Sequence, residues 1–143
     1  MRRFSFCIFF LLLLGCTDQS PSAREDASEN DMDAARNFIR AALDGRWTDA
    51  RKFMLQDSIN LQVLEIAETN YQTHMSSEDK RGYRESNPTF YDSRMIGDSI
   101  TIINYSNSYM KKRDSLKVIR ANGQWLVDLK FSFPQTNTSI YVH

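Results

Sequence analysis

The spacing of apolar residues changes at Pro88, and this change divides the chain into a helical part and a strand-forming part. Before Pro88, apolar residues recur three and four positions apart, which is the spacing of one helix face. After Pro88 they alternate with polar residues, which is the pattern of strands with one buried face. This order predicts an α+β fold, with N-terminal helices packed on one face of an antiparallel sheet.

Capping residues mark the starts of the helices that we predict before Pro88. They are Asn30 or Asp31 for a helix over about 31–44, Thr48 for a short second helix, and Asp57 or Ser58 for a third helix that ends near Met75. Gly45 suits the position after the first helix, because glycine adopts the backbone conformation that closes a helix end. We expect Trp47 to anchor the core, and Ser76 with Asp79 to restart a turn at capping-box spacing.

The strands that we predict after Pro88 cover residues 89–96, 99–106, 113–121 and 124–133. Gly97-Asp98 separates the first pair of strands, and Asn122-Gly123 separates the last pair. An Asn-Gly pair between alternating segments is the strongest short-range signal of a hairpin with a two-residue loop. Such a loop fixes the register, because a slip by one residue would turn every side chain to the other face of the sheet.

This register assigns the side chains of the last two strands to two faces of the sheet. The predicted core face carries the pairs Val118–Val127 and Leu116–Leu129 together with Trp125, Phe131 and Phe133. On the outer face, which we expect to be partly exposed, Lys117 lies opposite Asp128 as an ordinary cross-strand ion pair. Asp128 is therefore predicted to point away from the buried part of the domain. Arg120 lies opposite Trp125 and is expected to cover its ring.

Residues 1–15 predict a secretory signal peptide of the lipoprotein type. Met1-Arg2-Arg3 is basic, and the apolar run over residues 4–14 is shorter than the about 20 apolar residues that span a membrane. The run ends in Leu13-Leu14-Gly15-Cys16, which resembles the bacterial lipobox, so we expect cleavage before Cys16 and lipidation of its thiol. The alternative is an uncleaved anchor helix in which this cysteine is incidental.

Residues 16–30 are predicted to form the lipidated cysteine and a flexible tether, followed by a single domain over 31–143. The tether has no large apolar residue, so burial cannot offset the entropy of ordering it; the alternative is an ordered but irregular arm. Thr17 stands where enteric lipoproteins carry an inner-membrane retention Asp, and this resemblance implies an outer-membrane location. The equal numbers of acidic and basic side chains, 18 of each, give no basic surface for nucleic acid.

Local segments of the chain resemble a family of small lipoproteins of Bacteroides-type bacteria that carry a nuclear-transport-factor-2-like domain. The segments are Ala42–Ala50 (ALDGRWTDA), Ser77–Lys80 (SEDK) and Ala121–Asp128 (ANGQWLVD). The resemblance implies a cystatin-like cone, in which helices pack on a curved antiparallel sheet. It implies no particular activity, because domains of this superfamily serve as isomerases, dehydratases, ligand carriers and dimerisation modules.

Several aromatic and titratable residues are candidates for lining a pocket. They are Tyr71, His74, Tyr83 and Tyr91, with Tyr105 and Tyr109 as further tyrosines. A phenol can offer a hydroxyl to a ligand, and His74 can act as a general base at a pocket mouth. The alternatives are packing tyrosines with one solvated end and a solvated histidine at a helix end. No carboxylate cluster, cysteine or further histidine stands near His74 in the sequence, so we predict no metal site. The sequence has no Gly-rich phosphate loop and no nucleophile elbow, and we assign no cofactor and no catalytic residue.

Other polar patterns suggest contacts with carbohydrate or anions. Asp-Ser-aliphatic triplets at Ser58, Ser99 and Ser115 resemble the O-glycosylation signal of exported proteins in Bacteroides-type bacteria. The alternative is capping and turn chemistry, in which Asp and Ser bond to the nearby backbone. The basic run Lys111-Lys112-Arg113 lies at a predicted hairpin end, where it forms either a solvated turn or a contact for an anionic group.

Taken together, the sequence predicts a lipid-anchored cell-envelope protein that binds a small ligand or an envelope protein without catalysis. The alternatives are a small isomerase- or dehydratase-type enzyme and a structural module that forms a homodimer through the outer sheet face. An enzyme requires a deep pocket with two converging titratable groups. A dimer requires an apolar outer face, for which the candidates are Ile119, Leu126, Thr101 and Ile103.

Overall fold

The computed structural model describes residues 27–132 and has an α+β fold in which helices precede an antiparallel sheet. The helices are α1 (Asp31–Leu43), α2 (Trp47–Lys52), α3 (Ser58–Thr73), α4 (Ser77–Glu85) and a short α5 (Leu129–Ser132). The strands are β1 (Pro88–Ile96), β2 (Ile100–Asn107), β3 (Asp114–Ala121) and β4 (Gln124–Asp128), paired in the order β1-β2-β3-β4. The expected signal peptide, Cys16, most of the tether and residues 133–143 lie outside the described residues.

Side-chain caps set the starts of the longer helices, as the sequence predicts. Asn30 caps α1, Asp57 caps α3 and Ser76 caps α4, each accepting a hydrogen bond from an amide of the first turn. These bonds satisfy N–H groups that have no partner inside the helix. Two details differ from expectation. The second helix begins at Trp47 without a side-chain cap, and the capping box at Ser76 opens a helix of 9 residues rather than a turn.

The last hairpin has the predicted register. Val118 pairs with Val127, and Lys117 pairs with Asp128, as counting outward from Asn122-Gly123 requires. Both turn residues have positive φ, 51° and 77°, which is the backbone conformation of a type I′ loop. The local signal was sufficient here because the loop alone determines which residues face each other.

The final strand is shorter than predicted. β4 ends at Asp128 and the chain turns into α5, so Leu116 and Leu129 do not pair in the sheet, although both are buried. Phe131 is 45% exposed and not part of the core face, because the helical turn breaks the alternation of side chains. The predicted position of Phe133 lies outside the described residues.

The hydrophobic core lies between α1 and the sheet. The buried cluster contains Phe38 and Ile39 of α1 and Ile103, Leu116, Val118 and Val127 of the strands. Trp47 packs against this cluster as expected, and its ring meets that of Tyr71 edge-on at 5.6 Å. After α2, the backbone of residues 53–55 bonds to Val127 as a parallel bridge, which extends the sheet beyond β4.

The structure corrects the assignment of β2 to the two faces of the sheet. Thr101 pairs with Val118, and Ile103 pairs with Leu116, so both lie on the core face and are at most 1% exposed. The outer-face residues of β2 are instead Ile100, which pairs with Ile119, and Ile102. Residues 100–103 are apolar except for Thr101, so the sequence has no alternation that shows which of them face the core.

Candidate functional site

A cavity of about 250 Å³ opens at the end of the sheet where β2 connects to β3. Its floor is apolar and comes from the last two turns of α1, namely Phe38, Ile39, Ala42 and Leu43. The remaining walls are Tyr83 of α4, Tyr105 and Asn107 of β2, and Met110, Lys112 and Asp114 from the β2–β3 connection and the start of β3. Pockets for small molecules have volumes of roughly 300–1,000 Å³, so this cavity suits a small ligand.

The cavity exists because α1 and α4 are held together on one side of it. The guanidinium of Arg40 donates to the carbonyl oxygens of Ser86 at 2.6 Å and Arg84 at 3.1 Å, at the end of α4. The same guanidinium forms an ion pair of 2.6 Å with Asp44. These bonds place Tyr83, which directly precedes Arg84, beside the floor of the cavity.

The β2–β3 connection is fixed against α4 by Tyr109. Its hydroxyl donates to Asp79 at 2.7 Å, and its ring centroid lies 5.3 Å from that of Tyr83. The ring also covers Gly82 so closely that a Cβ atom on that glycine would overlap it. The side of the cavity that carries Met110 and Lys112 is therefore positioned by packing on α4.

The phenols in the cavity wall keep their protons at neutral pH. Burial, with the nearby charge of Asp114, raises the pKa of Tyr105 far above its usual value of 10. Burial and the charge of Asp79 also raise the pKa of Tyr83. Both hydroxyls are therefore neutral groups that can donate a hydrogen bond to a ligand.

The basic run at the hairpin end divides into three different environments. The guanidinium of Arg113 stacks 4.1 Å from the ring centroid of Tyr91. Lys111 has a positive φ of 55°, is exposed and does not line the cavity. Lys112 lines the cavity and makes no ion pair within residues 27–132. All three residues are exposed, so the run forms a solvated connection, which is one of the two predicted alternatives, and Lys112 alone among them also borders the cavity.

Of the foremost pocket candidates, Tyr83 lines this cavity, while Tyr71, His74 and Tyr91 lie elsewhere. Tyr71 packs on Trp47, and the ammonium of Lys80 lies 5.5 Å from its ring centroid. His74 is exposed at the end of α3, with Nδ1 2.8 Å from the Thr73 hydroxyl. Tyr91 is 46% exposed, and its hydroxyl lies 2.8 Å from that of Ser106.

The sequence did not identify the apolar floor or the charged wall of the cavity. The apolar spacing of α1 predicts only that its residues belong to the core. It does not show that the core ends in an open cavity beside Phe38, Ile39 and Leu43. In the sequence, Asp114 stands out only as the first residue of the candidate glycosylation triplet at Ser115. The signal that could have found it is the strand register, which places it opposite Tyr105.

The candidate glycosylation serines differ in accessibility. Ser58 is the exposed first residue of α3, directly after the Asp57 cap. Ser99 is half-buried between β1 and β2. Ser115 is half-buried in β3, and its hydroxyl donates to Asn104 at 2.5 Å. Ser58 is therefore the position that a modifying enzyme reaches most easily.

Asp128 is buried, contrary to the prediction from the sheet register. It does lie on the outer face and forms the expected ion pair with Lys117, at 3.3 Å. Its exposure is nevertheless only 5%, because α3 and α5 cover this end of the sheet. Asn60 of α3 contacts its carboxylate at 3.4 Å, and Lys130 of α5 does so at 3.7 Å. This carboxylate joins helices to sheet and is not part of the cavity.

Within residues 27–132, no group of three or more His, Cys, Asp or Glu side chains is arranged to hold a metal ion. In the same part of the chain, no helix combines the length and apolar character needed to cross a membrane. The chain matches no family model, and no match was found among curated proteins or solved structures.

Proposed function

We propose that the protein is a lipid-anchored module of the bacterial cell envelope that binds a small ligand in the cavity beside α1, without catalysis. The observation that carries the proposal is the cavity itself, with its apolar floor and its two neutral phenols. The lipobox-like segment ending in Cys16 supports the anchor, and Thr17 supports the outer membrane as its location.

A cystatin-like cone of the nuclear-transport-factor-2-like type is part of the proposal. The succession of a long helix, a short helix, a long helix, the additional helix α4 and a four-stranded antiparallel sheet supports it. A register shift between Phe90 and Asp92 adds one residue to β1 relative to β2. Such a bulge bends a strand, which supports a curved sheet with the cavity at one open end.

The electrostatics of the cavity support binding over catalysis. A general acid or base works best with a pKa near the working pH, whereas the pKa of Tyr105 is shifted further away from neutrality. The one observation in favour of an isomerase- or dehydratase-type enzyme is that Asp114 lies opposite Tyr105 in the sheet. For an enzyme, Asp114→Asn would abolish turnover and leave ligand affinity nearly unchanged.

Native mass spectrometry of the mature chain tests the proposal. We expect a mass excess that disappears on denaturation. Ala42→Leu should remove this excess, because the larger side chain fills the floor of the cavity without disturbing α1. Thr69→Leu adds the same side chain at an exposed position of α3 and serves as the control. A bare monomer would contradict ligand binding, and a bare dimer would favour the homodimer through the outer sheet face.

The same intact-mass measurement on protein from its native host tests O-glycosylation. A hexose increment that Ser58→Ala removes would establish the modification at the most accessible of the three serines. An unmodified mass would leave Asp57-Ser58 with helix capping as its role.

A further inference from the structure

We propose, on the premise that the cavity binds a ligand, that the ligand is a small amphiphilic anion: an apolar body that contacts the α1 floor, with a carboxylate that pairs with Lys112. The inference rests on the proposed function and adds the chemical class of the ligand. It follows from the hydrogen-bond donors and the charged side chains that surround the apolar floor of the cavity.

The apolar part of the ligand is set by the floor and by the size of the cavity. Phe38, Ile39 and Leu43 present only hydrocarbon side chains. A dry cavity of roughly 150 Å³ lined by such residues is sufficient for benzene. The cavity of about 250 Å³ therefore accommodates a phenyl ring, or an alkyl chain of similar volume, with a few further atoms for a polar group.

The charge of the ligand is set by Lys112, the one cation among the described residues that lines the cavity. Arg113 is engaged by the ring of Tyr91, and Lys111 lies outside the lining. Within the described chain the ammonium of Lys112 has no carboxylate within ion-pairing distance. Lys112 is exposed, so solvent weakens its attraction for an anion, but the ammonium borders the apolar floor and is the charge that a ligand carboxylate in the cavity can pair with.

The neutral polar groups of the wall also favour an oxyanion. Burial keeps the phenols of Tyr83 and Tyr105 protonated, so both can donate. The amide oxygen of Asn107 already accepts from the Met110 N–H at 2.8 Å, which leaves its NH₂ group as a donor. A carboxylate, which only accepts, matches this set of donors better than an alcohol or an amine.

Asp114 is the group that opposes an anion. One of its carboxylate oxygens accepts from the Ser115 N–H at 2.8 Å, and the side chain is exposed at the start of β3. Solvent therefore screens its charge. A ligand that carried an ammonium group next to its carboxylate would use Asp114 as well as Lys112, so the test includes a zwitterion.

The experiment is calorimetric titration of the mature chain in lipid nanodiscs, with empty nanodiscs as the blank. The probes share one apolar body: 3-phenylpropanoate, 3-phenylpropan-1-ol, 3-phenylpropylamine and L-phenylalanine. We expect the carboxylate to bind about two- to fivefold more tightly than the alcohol, as for pairing with an exposed ammonium, with a smaller difference at high salt. Lys112→Gln should reduce this difference, remove its dependence on salt and leave the affinity for the alcohol unchanged, whereas the control Lys111→Gln should preserve both.

Each other outcome overturns the inference, and the pattern shows whether the proposed function falls with it. Equal affinity for the acid and the alcohol would retain the cavity as a binding site and remove the role of Lys112. Tightest binding of the amine or of L-phenylalanine would make Asp114 the anchoring group and exclude a simple anion. No binding of any probe would overturn both the ligand class and the ligand-binding function.

Discussion

Replacement of Asn60 by alanine should destabilise the protein strongly, because this buried side chain holds α3, β4 and α5 together. Asn60 is 0% exposed, and its oxygen accepts from the Leu129 N–H at 2.7 Å. Its NH₂ group donates to Asp57 at 2.7 Å and lies 3.4 Å from Asp128. The variant would leave the buried N–H of Leu129 without a partner, at the point where β4 turns into α5.

The expected loss can be estimated from these contacts. An unsatisfied buried N–H costs about 1–3 kcal/mol, and the bonds to two carboxylates add about 1 kcal/mol, since Asp57 is largely exposed. The higher helix propensity of alanine offsets about 0.5 kcal/mol. We therefore expect Asn60→Ala to lower the free energy of unfolding by about 1.5–3.5 kcal/mol.

Urea denaturation followed by tryptophan fluorescence measures this change. The midpoint should fall while the dependence of the free energy on urea stays the same, as for a loss of stability without a change in compactness. Gln72→Ala, which removes an exposed bond of 2.9 Å to Glu68 on the same helix, is the control and should change stability by less than about 0.5 kcal/mol. A loss from Asn60→Ala no larger than that of this control would refute the reasoning, since the Leu129 N–H would then have found another partner.

Three further predictions concern the cavity wall, the dependence on pH and the anchor. Gly82→Ala should lower stability by about 1–3 kcal/mol and weaken ligand binding, because its Cβ displaces Tyr109; a thermal melt together with a ligand titration checks this. Lys130 lowers the pKa of Asp57 to about 2, so this carboxylate stabilises the fold above about pH 4 and loses its effect as the pH falls toward 2. Asp57→Asn keeps the cap and should reduce the fall of the urea midpoint over that range; an unchanged fall would contradict this. Cys16→Ser should move the protein from the membrane fraction to the soluble fraction and remove the lipid mass, and membrane retention would argue for the uncleaved helix.

The sequence predicted the parts of the fold that depend on neighbouring residues. Asn122-Gly123 was enough for the register of the last hairpin, and the capping side chains were enough for the starts of α1 and α3. It failed at the end of β4, where the alternation of apolar residues continues through Phe131. Where β4 turns into α5, the Leu129 N–H donates to Asn60. These residues are far apart in the chain, so no local sequence pattern predicts this contact.

The candidate site was harder to predict than the fold for the same reason. A tyrosine that lines a cavity and one that packs on a neighbouring ring have the same local sequence features, as Tyr83 and Tyr71 show. What distinguishes them is the approach of α1 to α4 through Arg40 and the docking of Tyr109 on Gly82. Both contacts join segments that are far apart in the chain.

The way the chain enters the domain bears on how it would respond to mechanical load. Ser28 accepts from the side chain of Asn37 at 3.3 Å, and Glu29 bonds to Asp33 at 3.2 Å, so the entering segment runs back along the first turns of α1. A pull through this segment would break these two bonds first and then act on the start of α1, where the Thr101 hydroxyl donates to Asp31. The cavity floor belongs to the last turns of the same helix. Tension on the chain would thus fray the end of α1 remote from the cavity, and a ligand of the kind proposed would, once bound, resist further unwinding toward the cavity.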